Sequence, residues 1–373
     1  MIVTVITFIV VLSIIVFAHE FGHFYCAKKS GVAVEEFGFG FPPRIFGVKK
    51  GDTIYSINWI PIGGFVRLKG ESGENEKDSD SFGSKSAAKR GIIIGAGVVM
   101  NIFLAWVLIS IGLVFGLPQI IEDEASLPGF VKVSEEKVYV VNILEETPAS
   151  EAGIEIGDII STVDGETITS MDQFAGMTGA RGDSPLQISL LREEEYVEVS
   201  VSPAILEVTG RPGIGVGLLK TGIVSYPFYL APLQGLAVTA TYTKEIALAF
   251  ARIIGELVTG QGPSVDISGP VGIAVVTGEV ARHGWRHLLQ FTALLSINLG
   301  IINVLPLPAL DGGRLLFLAI ERLRGRPVSR RVEAAIHNTG FALLLLLVVL
   351  VTYGDVVRFG DRILNAVFGA FTG

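Results

Sequence analysis

The chain opens with an apolar run, Ile2 to Ala18, that holds no charged residue and leads directly into His19-Glu20-Phe21-Gly22-His23. In lipid each backbone N–H and C=O must be satisfied inside its own segment, so such a run folds as a helix. Its residues rise about 26 Å, close to the hydrocarbon thickness, which sets the histidines near one membrane face. The i, i+4 spacing turns both imidazoles to one side of the helix, where they can share a Zn²⁺ while Glu20 serves as base. No Lys or Arg precedes the run and no small-x-small cleavage pattern follows it, so the segment is expected to be retained.

Half of the 373 residues are hydrophobic and 18% are charged. That balance is too apolar for an ordinary soluble enzyme and too charged for a chain wholly in lipid, and it implies a membrane bundle with a soluble insert. A net charge of -8 without a long basic tract argues against a nucleic-acid partner. The lone Cys26 excludes an internal disulfide.

Further apolar spans run from Gly91 to Gly116, from Leu288 to about Leu307, and from Phe341 to about Tyr353, the last short for a full crossing. Lys and Arg crowd the first connection, from Lys28 to Arg90, and the third, which holds Arg314, Arg322, Arg324, Arg326, Arg330 and Arg331. Those two connections are expected in the cytoplasm, with both termini and the acidic 117–287 region outside. Leu233 to Thr259 is apolar, but Gln234, Thr241, Glu245, Arg252, Glu256 and Thr259 form one polar stripe. It reads as an amphipathic helix on the outer surface rather than a fifth crossing.

The expected divisions are a first transmembrane helix over 1–27, a cytoplasmic-side β region over 28–90, and a second span over 91–116. An extracytoplasmic domain follows over 128–220 and an amphipathic juxtamembrane region over 224–287. A third span over 288–312, a basic loop over 313–339 and a fourth span over 340–358 complete the chain.

Within 31–90, Gly38-Phe39-Gly40-Phe41-Pro42-Pro43 and Thr53 to Leu68 predict two short strands. A plain surface hairpin and a strand edge that pairs with an extended peptide both fit that pattern. Glu71 to Ser86 predicts a polar loop. In the second span, Gly91 and Gly95 allow close helix approach, and Asn101 needs a partner, either across helices or beside the metal site.

From Phe130 to Pro203 strands are expected at Lys137–Leu144, Ile159–Val163 and Leu186–Leu191. Thr147-Pro148-Ala149-Ser150-Glu151-Ala152-Gly153 with Gly157-Asp158-Ile159-Ile160 and Val163-Asp164-Gly165 resembles the bacterial PDZ pattern, which implies a groove for a peptide added as a strand. Arg181-Gly182-Asp183 is a turn sequence. His283 and His287 repeat the i, i+4 spacing without an accompanying Glu, and His337 has no sequence companion. The third span ends in Asn303-Val304-Leu305-Pro306-Leu307-Pro308-Ala309-Leu310-Asp311-Gly312-Gly313, where prolines and glycines break the helix beside an ionisable residue. Asp311 is the expected third metal ligand, at the same membrane face as His19 and His23.

Together these segments resemble the site-2 protease family of intramembrane zinc metalloproteases, and most the bacterial regulator-of-sigma-E protease branch. The motif His19 to His23, the Gly-Phe-Gly segment, Ile60-Pro61-Ile62-Gly63-Gly64-Phe65-Val66, the PDZ insert and Asn303 to Gly312 occur in the family's order. The resemblance implies that His19, His23 and Asp311 bind zinc, that Glu20 is the general base, and that Asn303 helps hold substrate or a developing oxyanion. It implies a polytopic α-helical protein of about four transmembrane helices in a bacterial inner membrane, with a membrane-associated β-hairpin and an inserted α+β PDZ domain. The implied partners are single-span membrane-protein substrates, a peptide ligand of the PDZ domain, and the lipid bilayer. Where the family often has Gly-Pro-x-x-Asn, this chain has Gly97-Val98-Val99-Met100-Asn101, and there is room for one PDZ module. Two other readings stand beside this one: a non-catalytic membrane scaffold that binds peptides through the PDZ domain, and a membrane-bound protease of soluble peptides.

Overall fold

The computed structural model describes the chain except residues 1, 72–77, 122–127, 181–183, 193–194, 207–209, 261–267, 327 and 373. Arg181-Gly182-Asp183 and part of the expected polar loop therefore lie outside the described residues. Two compact units form, one from 1–111 with 232–373 and one from 112–231.

The first unit starts with α1 (Ile2–Lys29), then β1 (Val34–Lys50) and β2 (Thr53–Leu68), and then α2 (Ala87–Phe115). The two strands are long, not short, because each bends at its middle instead of ending there. Gly40, Pro42 and Pro43 lie at the bend of β1, and Pro61 and Gly63 at that of β2. Val66 stands opposite Phe37, Phe37 also opposite Tyr55, and Tyr55 also opposite Val48, so two strands make a sheet four segments wide. The segment 64–68 forms one rim of that sheet, with Phe37 facing Val66 on its inner side only. Gly38 is required there, since a Cβ would run into the Phe65 ring. Ser13 of α1 donates to the Pro61 carbonyl at 3.1 Å, which ties the sheet to the first helix.

The second unit holds β3 (Leu117–Ile120), β4 (Lys132–Ile143), α3 (Pro148–Glu151), β5 (Ile159–Val163), β6 (Glu166–Thr167) and α4 (Met171–Ala180). It continues through β7 (Leu186–Arg192), β8 (Glu195–Val201), β9 (Ala204–Leu206), β10 (Arg211–Gly213) and β11 (Val216–Ser225). The main sheet has the order β3-β11-β4-β5-β7-β8. Val138, Val140, Ile160, Leu186, Ile188 and Leu190 alternate inward along its strands and bury against Phe174 of α4. Leu117 pairs with Val224, so the first and last strands of the insert lie side by side, as a domain inserted into a chain requires.

After the insert the first unit resumes with α5 (Ala231–Val258), α6 (Pro270–Arg282), α7 (Trp285–Val304), α8 (Asp311–Arg324) and α9 (Arg330–Thr372). Four helical stretches among the described residues are long and apolar enough to cross a membrane: Val3–Lys29, Ala87–Phe115, Trp285–Val304 and Arg330–Arg358. The protein is thus a polytopic helical membrane protein with a β-rich insert, and the 28-residue α5 is not among its candidate spans. The final span is longer than Phe341–Tyr353, because its helix begins in the basic segment at Arg330. From within α9, the buried Asp355 carboxylate accepts the Gly269 and Gly272 amides at 3.2 and 2.7 Å. It thereby satisfies backbone donors that the start of α6 cannot pair within its own helix.

In the insert, Asp158 is almost wholly buried and takes a bidentate bond from Arg192 Nε and Nη2, both at 2.7 Å. Burial alone would raise the Asp158 carboxyl; the Arg192 guanidinium and the Glu155 amide outweigh it and hold the group below its ordinary value. A lowered folded value stabilises above the ordinary carboxylate range and is lost as pH falls through that folded value. Asp158→Ala is expected to weaken the insert by about 2–4 kcal/mol, read by limited proteolysis of the purified protein against temperature. The advantage of wild type over Asp158→Asn should shrink in strong acid.

Candidate metal and catalytic site

On α1, the side chains of His19 and His23 share one face, with rings 4.7 Å apart. Asp311, the first residue of α8, meets both: its Oδ2 lies 3.1 Å from His19 Nε2 and 3.2 Å from His23 Nε2. The two Nε2 atoms are 3.1 Å apart. Among the described residues this is the group of His, Cys, Asp and Glu able to hold a metal, with its ligand atoms all within 4.8 Å of one another.

The approach of α2 makes room for the two rings. At Gly97 an added Cβ would stand 2.5 Å from His23 Nε2 and 2.6 Å from His19 Cε1, so the imidazoles occupy the space of a missing side chain. At Gly22 a Cβ would collide with the Ala96 carbonyl, which marks the close crossing of α1 and α2. His23 Nδ1 donates to the Ile93 carbonyl at 2.9 Å and so leaves Nε2 as a lone pair.

His19 finds its outer partner in Asn101, fully buried and one turn past Gly97. Asn101 Nδ2 lies 3.4 Å from His19 Nδ1, while its Oδ1 is buried without a partner among the described residues. The two ends of a carboxamide are isosteric, and turning the group lets Oδ1 accept from Nδ1–H and satisfies the orphaned oxygen. Both imidazoles then present Nε2 lone pairs to Asp311, and two nitrogens and one carboxylate oxygen are a donor set that fits zinc. The Asn101 side chain therefore lies beside the cluster, and the backbone carbonyl of residue 101 separately accepts from Ser296 of α7 at 2.8 Å.

Asp311 reaches the histidines because the chain reverses sharply after α7. That helix stops at Val304, Pro306 and Pro308 carry the chain round, and Ala309 has φ +72. Gly312 and Gly313 pack against the carbonyls of Val304, Leu305 and Leu307, where any Cβ would clash. His337 is not alone: its Nδ1 accepts the Ala309 amide at 2.9 Å, so α9 braces the turn that presents Asp311.

A cavity of about 330 Å³ opens at the cluster, lined by Glu20, His23, Gly64, Phe65, Asp311 and Arg314 among others. A Cβ on Gly64 would lie 3.7 Å from Glu20 Cγ, so the rim of the sheet passes directly beside the carboxylate. Arg314, one helical turn after Asp311, forms an ion pair with Glu71 at the exit of β2. Asn303 sits on the last turn of α7, half-buried, is not among the residues lining the cavity, and its side chain hydrogen-bonds to no described residue. His283 and His287 lie with rings 5.9 Å apart and do not join the cluster.

Sequence reasoning missed Gly97, Arg314 and Glu71. The signal for Gly97 was its i, i+4 relation to Asn101, and for Arg314 its i, i+3 relation to Asp311. Gly97→Ala is expected to push the imidazoles apart and lower zinc affinity about 10- to 100-fold, measured by metal content after dialysis against a graded chelator.

The sequence profile of Peptidase family M50 matches residues 7–347. "Zinc metalloprotease RasP" of Geobacillus kaustophilus is 33% identical, with 95% of this chain and 98% of that protein aligned. "Regulator of sigma-W protease RasP" of Bacillus subtilis is 31% identical over the same shares. Among solved structures, the PDZ domain of the SdrC-like protein from Listeria monocytogenes matches 23% of this chain and 92% of its own at 24% identity, with a TM-score of 0.22. With its family match spanning the metal cluster, the cavity and the membrane helices alike, the chain belongs to Peptidase family M50.

Proposed function

We propose that this membrane metalloprotease hydrolyses peptide bonds inside the membrane segments of single-span proteins, with zinc held by His19, His23 and Asp311 and with Glu20 as general base. The observation that carries the reading is the convergence of those ligand atoms with Glu20 on one cavity beside an apolar membrane helix. When bound, zinc polarises the scissile carbonyl and acidifies a water beside it. Glu20 takes the proton from the attacking water on a carboxylate oxygen and delivers it to the leaving amide nitrogen. Asn101 and the Ile93 carbonyl keep the two imidazoles in the tautomer that points Nε2 at the metal.

A helical substrate hides its carbonyls in its own hydrogen bonds and must unwind before attack. The rim segment Gly64 to Leu68 supports a way to hold it extended, by offering its outer backbone groups to a peptide laid along the sheet. The basic connections 28–90 and 313–339 support a cytoplasmic face for the site in a bacterial inner membrane, with both termini outside. The PDZ-type insert supports capture of a peptide or chain end, and the sigma-regulating relative makes an anti-sigma factor one candidate substrate. We assign His19, His23 and Asp311 to the metal, Glu20 to proton transfer, and Asn303, on the last turn of α7 before the Asp311 turn, to holding substrate or a developing oxyanion.

Glu20→Gln should retain zinc and lose cleavage of a single-span model substrate by at least about 1,000-fold in liposomes, since it removes the base and spares the ligands. Zinc-bearing, inactive wild type would sink the proposal. Introducing a Gly-Pro pair near the cleavage point of the substrate should raise its turnover several-fold, and equal cleavage of a stably helical segment would argue against unwinding on the sheet rim.

A further inference from the structure

The chain leaves the membrane with α7 and returns with α9, so α8 between them lies at that same face. One side of α8 is spoken for. At helical spacing Asp311 meets the imidazoles, Arg314 meets Glu71, Leu318 packs on Gly91, and Glu321 bonds Arg90 at 2.5 Å. The opposite side carries Leu316 and Leu323, the latter 87% exposed within the protein. By the 100° step of a helix, Arg322 and Arg324 flank that apolar side on its two borders.

Arg326 and Arg331 continue the basic group past Gly325, whose φ of +65 ends α8. Arg322, Arg324, Arg326 and Arg331 are all exposed and form no ion pair with any described residue. An apolar ridge bordered by unpaired arginines, held at a membrane face, matches one environment. Leucines sink to the acyl boundary while the guanidinium groups reach up to phosphates.

We propose that α8 is an interfacial helix whose arginines bind the phosphate headgroups of anionic lipids, and that this seat fixes the position of Asp311 against His19 and His23. The helix is short and begins with Asp311 itself, so a displacement of its exposed side is carried straight to the cluster. An anionic bilayer draws the basic end in and holds α8 flat, whereas a zwitterionic bilayer leaves only the leucines to anchor it. Arg322, Arg324, Arg326 and Arg331 are positioning residues in this scheme, none of them touching substrate or metal. The seating of α8 rests on the spanning of α7 and α9, and its effect on cleavage rests on the proposed catalytic roles.

The test uses full-length protein in vesicles of phosphatidylcholine alone or with phosphatidylglycerol. In a Cys26→Ser, Leu323→Cys protein, a nitroxide at 323 should collide more with oxygen than with a water-soluble nickel complex, as at the acyl boundary. Substrate cleavage should run about fivefold faster with phosphatidylglycerol at low salt, lose that difference at high salt, and show none in R322Q/R324Q/R326Q/R331Q with unchanged zinc content. A nickel-accessible label, equal wild-type rates in both vesicles, or a lipid response kept by the quadruple variant would each overturn the proposal. Protein that cuts nothing in any vesicle would defeat the catalytic reading instead, and the label at 323 alone would then decide.

Discussion

The close crossing of α1 and α2 is the constraint on which the site depends. Two bulky imidazoles must sit between packed helices, and they take the room where α2 has no side chain, at Gly97. The same crossing brings the Ile93 carbonyl to His23 and the Asn101 carboxamide to His19, so packing and tautomer choice are settled by one contact. Protein interiors tolerate few voids, and here the volume a side chain would fill is taken by the two imidazoles.

Asp311 arrives by different means. A carboxylate at a membrane face needs a turn that lipid does not touch, and the prolines, glycines and positive-φ Ala309 compress that turn until its carbonyls abut Gly312 and Gly313. His337 and Gly340 of α9 close over it from outside, with Gly340 against Pro308. The last membrane helix is therefore part of the support of the His19, His23 and Asp311 cluster, although its own sequence shows little more than an apolar run.

The bent sheet brings a backbone edge to Glu20, and bending is what makes this possible. Two straight strands of this length would project far from the first unit, whereas Gly40, Pro43, Pro61 and Gly63 fold each back so that Gly64 borders the carboxylate. Arg314 and Glu71 link the exit of that sheet to α8. The sheet rim, Glu20 with the two histidines, and Asp311 are thus brought together from three separate stretches of sequence.

Much of this was written locally. His19, Glu20 and His23 were legible because a helix fixes i, i+4 geometry by itself, and the four spans because lipid permits only helix or closed barrel for apolar runs. Three strands of the insert, β4, β5 and β7, were legible from their apolar, strand-forming runs, and Asp311 from a helix break beside a carboxylate. Tertiary structure alone decided that Asn101 faces His19, that Gly97 is the seat of both rings, and that His337 braces the Asp311 turn. Each of those is a contact between residues far apart in the chain, fixed by which faces of two helices meet, and periodicity in one segment carries no record of the face its neighbour presents.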